Sequence, residues 1–110
     1  MALSQLFKQK IPIEIFLDFI KKISHPNNEY LIINKYSFKQ AIYHNLLQPF
    51  FNDIKKYYHT SKQFYVERQV NYTKFMSIIR QICNSHGFKY TSKIHYINST
   101  YNISYYLYVN

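Results

Sequence analysis

Residues 71–109 read NYTKFMSIIRQICNSHGFKYTSKIHYINSTYNISYYLYV. At about 100° per residue, Tyr72, Phe75, Met76, Ile78, Ile79, Ile82 and Cys83 fall in one sector of a helix. Thr73, Lys74, Ser77, Arg80, Gln81, Asn84 and Ser85 fall in the other. The apolar sector is a core face. Asn71 or Thr73 supplies the N-cap, and Gly87, the only glycine in the chain, suits the left-handed residue that ends a helix. Beyond it the period changes to two. Phe88, Tyr90, Ile94 and Tyr96 alternate with Lys89, Thr91, Lys93 and His95. After Asn-Ser-Thr, residues Tyr101, Ile103, Tyr105, Leu107 and Val109 alternate with Asn102, Ser104, Tyr106 and Tyr108. The expected unit is a helix followed by a β-hairpin, which is how a winged helix ends.

Working outward from this unit, Pro12 and Glu14 begin a helix whose apolar face is Ile13, Phe16, Leu17, Phe19, Ile20 and Ile23. Lys21 and Lys22 lie at its C-terminal end, and the run from Ser24 to Asn28 stops it. Tyr30–Ile33 reads as a short strand. Ser37 and Gln40 form a capping box for a second helix with Phe38, Ala41, Ile42 and Leu46 inward. Pro49 interrupts that helix and starts a third, carrying Phe50, Phe51, Ile54, Tyr57 and Tyr58. A further capping box, Thr60 and Gln63, opens a short helix over 62–69, unless one bent helix runs from 50 to 69. A turn of helix over 3–10 precedes all of these. No repeat or linker divides the chain. The predicted fold is one α+β domain over residues 1–110. It is mainly a helical bundle with a short early strand and a C-terminal β-hairpin, and it is winged-helix-like.

At 110 residues and 47% hydrophobic content the chain can form one core and is far from a disordered composition. Tyr and Phe, numbering 13 and 9, accompany abundant Ile, Asn and Lys, a set with AT-rich codons. An AT-rich genome is the expected source of such a composition, so tyrosine and lysine abundance alone is not evidence of function. Such a genome does not explain why acids are few. The net charge is +9, and residues 54–110 carry Glu67 as their sole acid. Such asymmetry points to a polyanionic partner. One cysteine excludes an internal disulfide. The first residues lack a signal peptide, and no apolar run reaches membrane length. The expectation is a soluble, intracellular, non-secreted protein without a membrane partner.

The acid-free face of the final helix carries the functional reading. Arg meets guanine, Asn and Gln meet adenine, and Ser and Thr meet either. Thr73, Lys74, Ser77, Arg80, Gln81 and Asn84 are therefore candidate nucleic-acid-binding residues. Lys89, Lys93 and His95 on the hairpin are candidate phosphate contacts. DNA is expected ahead of RNA. The contrasting reading is a protein-interaction or assembly module without enzymatic activity, acting through a homodimer or another protein partner. Cys83 and His86 with His95 are a fragment of a metal site, lacking the four ligands of a structural zinc. No metal, cofactor or catalytic set is expected, because the acids show no catalytic spacing and no glycine-rich phosphate loop is present.

The segments KIPIEIFLDFI, SKQFYVERQVNYTKFMSIIRQIC and SKIHYINSTYNISYYLYV resemble short uncharacterised proteins encoded by giant double-stranded DNA viruses of AT-rich genome. The resemblance covers nearly the whole chain. It implies a viral origin and a life in the host cytoplasm or nucleus, or in the virion. It implies no activity and no catalytic residues.

Overall fold

The computed structural model describes residues 10–26, 30–57 and 70–109. Helix α1 spans Ile13–Ile23, strand β1 His25–Pro26, strand β2 Leu31–Ile33, helix α2 Lys35–Tyr43 and helix α3 Leu47–Ile54. A single 3-10 turn, Lys55–Tyr57, extends α3. Helix α4 spans Tyr72–His86, and strands β3 (Lys89–Ile97) and β4 (Thr100–Tyr108) follow. The architecture is α+β. The expected turn over 3–10, the Thr60–Gln63 box, Tyr58 and the helix over 62–69 lie wholly or mostly outside the described residues.

Helix α1 begins one residue later than expected: Pro12 is its N-cap, in an extended conformation. Phe16, Phe19, Ile20 and Ile23 are buried along its inner face, whereas Ile13 remains exposed. Helix α2 starts a turn earlier than the Ser37–Gln40 box implies. The Asn34 side chain accepts the Ser37 backbone N–H at 3.0 Å, and the Ser37 hydroxyl accepts the Asn34 N–H at 3.2 Å. Asparagine is among the strongest N-caps, so it fixes the start and draws Lys35 and Tyr36 into the first turn. Ile42, expected inward, is exposed, while Phe38 and Ala41 are buried. Helix α3 starts at Leu47 rather than Pro49. Proline is tolerated there, because the N–H groups of a first turn have no partner within the helix.

The core is aromatic at its centre. Phe19 stacks on Phe50 with centroids 3.9 Å apart and planes 5° from parallel. Phe75 of α4 meets Phe19 edge-on at 6.1 Å and Phe38 at 5.1 Å. Helix α4 thus closes the bundle against both earlier helices. Its cap is Asn71, whose side chain accepts the Lys74 N–H at 2.8 Å. Gly87 ends it with φ of 73°. Gly87 N–H bonds to the Asn84 carbonyl, and Phe88 N–H to that of Cys83 at 2.9 Å. This double closure turns the chain sharply from helix into strand.

The sheet is antiparallel throughout, in the order β1-β2-β4-β3. The two-residue β1 was not anticipated; Pro26 at its end is tolerated because β1 is an edge strand. β2 pairs with β4 through Leu31↔Leu107 and Ile33↔Tyr105. β3 and β4 pair along their full length, from Lys89↔Tyr108 to Ile97↔Thr100. Asn98 and Ser99 close the hairpin with φ of 51° and 65°, both positive, which makes a type I′ turn matched to strand twist.

Candidate nucleic-acid interface

Helix α4 contacts α2 on one side and β3 on another, so it is buried over a wide arc. Phe75, Met76, Ile78, Ile79, Ile82 and Cys83 are buried as the periodicity predicts, with Tyr72 partly covered. Its exposed stripe is narrower than the polar sector of the sequence. Thr73, Lys74 and Asn84 are exposed, and Ser77 and Arg80 are half-buried.

Gln81 is a correction: only 4% of it is exposed, and its side-chain carbonyl has no hydrogen-bond partner. It occupies the border of the polar sector beside buried Ile78, and the covered arc extends past it. It is not in position to read a base.

Arg80 lies flat along its helix. Its Nε–H donates to the Met76 carbonyl at 3.3 Å, and its guanidinium lies 5.7 Å from the centre of the Tyr105 ring. Lys93 makes the corresponding contact with the next residue of β4, its ammonium 5.0 Å from the Tyr106 ring centre. Successive residues of a strand point to opposite faces. The two cations therefore lie on opposite sides of one sheet. In register, Lys89, Lys93 and His95 share the outer face with Tyr108, Ser104 and Asn102. The expected site residues thus form two groups. Thr73, Lys74, Ser77, Arg80 and Asn84 follow the exposed side of α4, and Lys89, Lys93 and His95 follow the outer face of the hairpin. The sheet lies between them, with Arg80 against its inner face and Lys93 on its outer face.

The inner face of the hairpin also departs from expectation. Tyr90, Tyr105 and Leu107 rest on the helices, but Ile94, Tyr96 and Tyr101 are exposed, as is Ile97 on the outer face. Strands of nine residues outrun the three-residue β2 beside them. The difference in predicted strand lengths was the available signal: one part of the hairpin lacks a neighbour. Tyr96 reaches 79% exposure and contacts only Tyr101, at 6.4 Å, among described rings.

Other titratable groups have structural duties. The Tyr72 hydroxyl donates to the Ile103 carbonyl at 3.0 Å, with the Ile33 carbonyl at 3.4 Å, at the end of the β2–β4 ladder. Burial, and then the neighbouring Tyr105, pushes its phenol well above the ordinary range. Burial pushes the Cys83 thiol up to about 12. One ring nitrogen of His86 lies 2.7 Å from the Ile11 carbonyl and therefore carries the proton, and the ring stacks on Phe88 at 5.6 Å. Among the described residues, no group of three or more His, Cys, Asp or Glu side chains could hold a metal.

The described acids, Glu14, Asp18 and Asp53, line one groove between α1 and α3, where Asp18 pairs with Lys22 at 3.0 Å. α4, β3 and β4 contain no acid. No described helix is long and apolar enough to cross a membrane. Family models, characterised proteins and solved structures gave no match to the chain.

Proposed function

We propose that the protein binds nucleic acid, duplex DNA ahead of RNA, through the exposed stripe of α4 and the hairpin. The observation that carries this reading is the absence of acids from α4, β3 and β4. The described acids, Glu14, Asp18 and Asp53, lie between α1 and α3, while α4 and the hairpin offer Lys74, Arg80, Lys89 and Lys93 with no acid in those elements. A polyanion approaching either the α4 stripe or the outer face of the hairpin meets cations, hydroxyls and amides, and no carboxylate of α4, β3 or β4. Connectivity supports a winged-helix-like mode. A short early strand pairs with the last strand, and the helix before the hairpin exposes Thr73, Lys74 and Asn84.

The test is titration of a labelled duplex by fluorescence anisotropy over a salt series. With about five phosphate contacts, the logarithm of affinity falls against the logarithm of salt with a slope of roughly −4.5. Replacing Lys74, Lys89 or Lys93 by alanine flattens that slope by about one unit each. No binding at low salt, or binding indifferent to salt, overturns the reading.

A protein-interaction or assembly role, including one in a virion, is the second reading. It is favoured by the exposed Ile94, Tyr96, Ile97 and Tyr101 at the end of the hairpin. Self-assembly through these residues gives a sedimentation coefficient that rises with concentration and stops rising in Tyr96→Ser.

A further inference from the structure

The hairpin register determines which backbone groups of β3 are spent. Ile97 and Thr100 close a two-residue turn and so exchange both hydrogen bonds. The alternation then gives Lys89, Thr91, Lys93 and His95 the bonds to β4. It turns the N–H and C=O groups of Tyr90, Ser92, Ile94 and Tyr96 outward. β3 is the last strand of the sheet, and eight of its nine residues are exposed. Among the described residues nothing covers this edge.

An open edge of this length is a template for another strand, and natural sheets guard such edges with lysine. Lys89 and Lys93 meet that description. A second copy adding its own β3 would bring Lys89, Lys93 and His95 and no acid, so no ion pair could form across the seam. The charges that disfavour a second copy select a different occupant. A strand with acids at alternate positions would set them beside Lys89 and Lys93 on the outer face, where opposite charges on neighbouring strands attract. Its intervening apolar side chains would cover Tyr90, Ile94 and Tyr96 on the inner face, two of which stand largely exposed.

We propose that the free edge of β3 takes up an extended segment of a partner protein, alternating acidic and apolar residues, as a fifth strand of the sheet. The backbone supplies affinity and the lysines supply the choice of partner. This is independent of nucleic-acid binding, although both use Lys89 and Lys93.

The probe is a peptide as long as β3, blocked at both ends and alternating glutamate with valine; its counterpart alternates lysine with valine. The glutamate peptide binds at least about tenfold more tightly at low salt. On binding, the Tyr90, Ser92, Ile94 and Tyr96 amides become protected from hydrogen exchange. Ser92→Pro removes an outward N–H without removing a bond to β4, and it abolishes peptide binding while leaving circular dichroism and salt-dependent duplex binding unchanged. The double variant Lys89→Glu, Lys93→Glu, whose backbone edge is intact, prefers the lysine peptide. Equal binding of the two peptides overturns the proposal. So does a folded Ser92→Pro that binds the glutamate peptide as the unaltered protein does, or amides that stay unprotected. Amides already protected in a dimer of the protein alone also overturn it, assigning the edge to a second copy.

Discussion

The guanidinium of Arg80 rests over the ring of Tyr105, 5.7 Å from its centre, and this contact joins the exposed stripe of α4 to the inner face of the sheet. A cation held over an aromatic ring is positioned without being neutralised by an acid, so it still attracts an anion. The contact itself stabilises by about 0.5–1 kcal/mol. If the proposed duplex binding holds, Arg80→Ala lowers its affinity and reduces the salt slope by about one unit. Arg80→Lys keeps the slope and loses part of the affinity. A purely structural arginine gives the opposite pattern, with a lower melting temperature and unchanged binding.

Tyr72 ties α4 to the sheet through the Ile103 carbonyl at 3.0 Å. Tyr72→Phe keeps the ring against Phe38 and removes only the donor. The expected cost is about 1 kcal/mol, read as a shift of the urea midpoint with unchanged slope. A midpoint equal to that of the unaltered protein shows that water replaces the bond.

Cys83 and Tyr72 make stability fall at alkaline pH. The Cys83 thiol rises from 9.0 to about 12 on folding. Between those values the unfolded chain releases a proton that the folded chain retains, so rising pH favours unfolding. This contribution to stability is intact below pH 9 and is lost progressively towards pH 12. Tyr72 acts in the same direction at higher pH. Cys83→Ser removes the thiol titration and leaves a flatter alkaline limb in urea melts, with lower stability at neutral pH from the buried hydroxyl. In the unaltered protein, a thiol reagent at pH 8 reacts slowly until denaturant is added.

Gly87 is required for its backbone conformation and for nothing else. Its φ is 73°, and a Cβ at this position meets no atom within 4 Å. Gly87→Ala costs about 1 kcal/mol from the left-handed backbone alone. Gly87→Asn costs less, because asparagine tolerates that region. Equal melting temperatures for the two variants contradict this account.

The stretch 71–109 was legible because each signal in it is local. Asn71 caps, Gly87 ends, and the change of period from 3.6 to two separates helix from strand. The seven apolar positions of α4 and the two faces of the hairpin follow from spacing alone. What spacing cannot give is how much of a face its neighbours cover. Gln81 is buried because α4 is enclosed over more than half its circumference, and Ile94, Tyr96 and Tyr101 are exposed because β2 is too short to accompany the hairpin. The separation of Arg80 from Lys93 was implicit in the strand alternation. It became visible only when their rings, Tyr105 and Tyr106, were placed on opposite faces of β4. The start of α2 lies at Asn34 rather than Ser37 because two overlapping patterns each satisfy a cap, and asparagine bonded to Ser37 prevails.

The pairing of β2 with β4 has a consequence for how the molecule assembles. Leu31 finds Leu107 across about two thirds of the chain. Until the final strand has left the ribosome, β2 has only the two-residue β1 beside it. The helices α1, α2 and α3 can collapse early, whereas α4 gains the bond from Tyr72 to the Ile103 carbonyl only after β4 arrives. Closure over such a sequence separation is slow. The β2–β4 pairing is therefore expected to form late in folding, after β4 is available. A ribosome-bound chain stalled before residue 100 is the species in which that step is suspended.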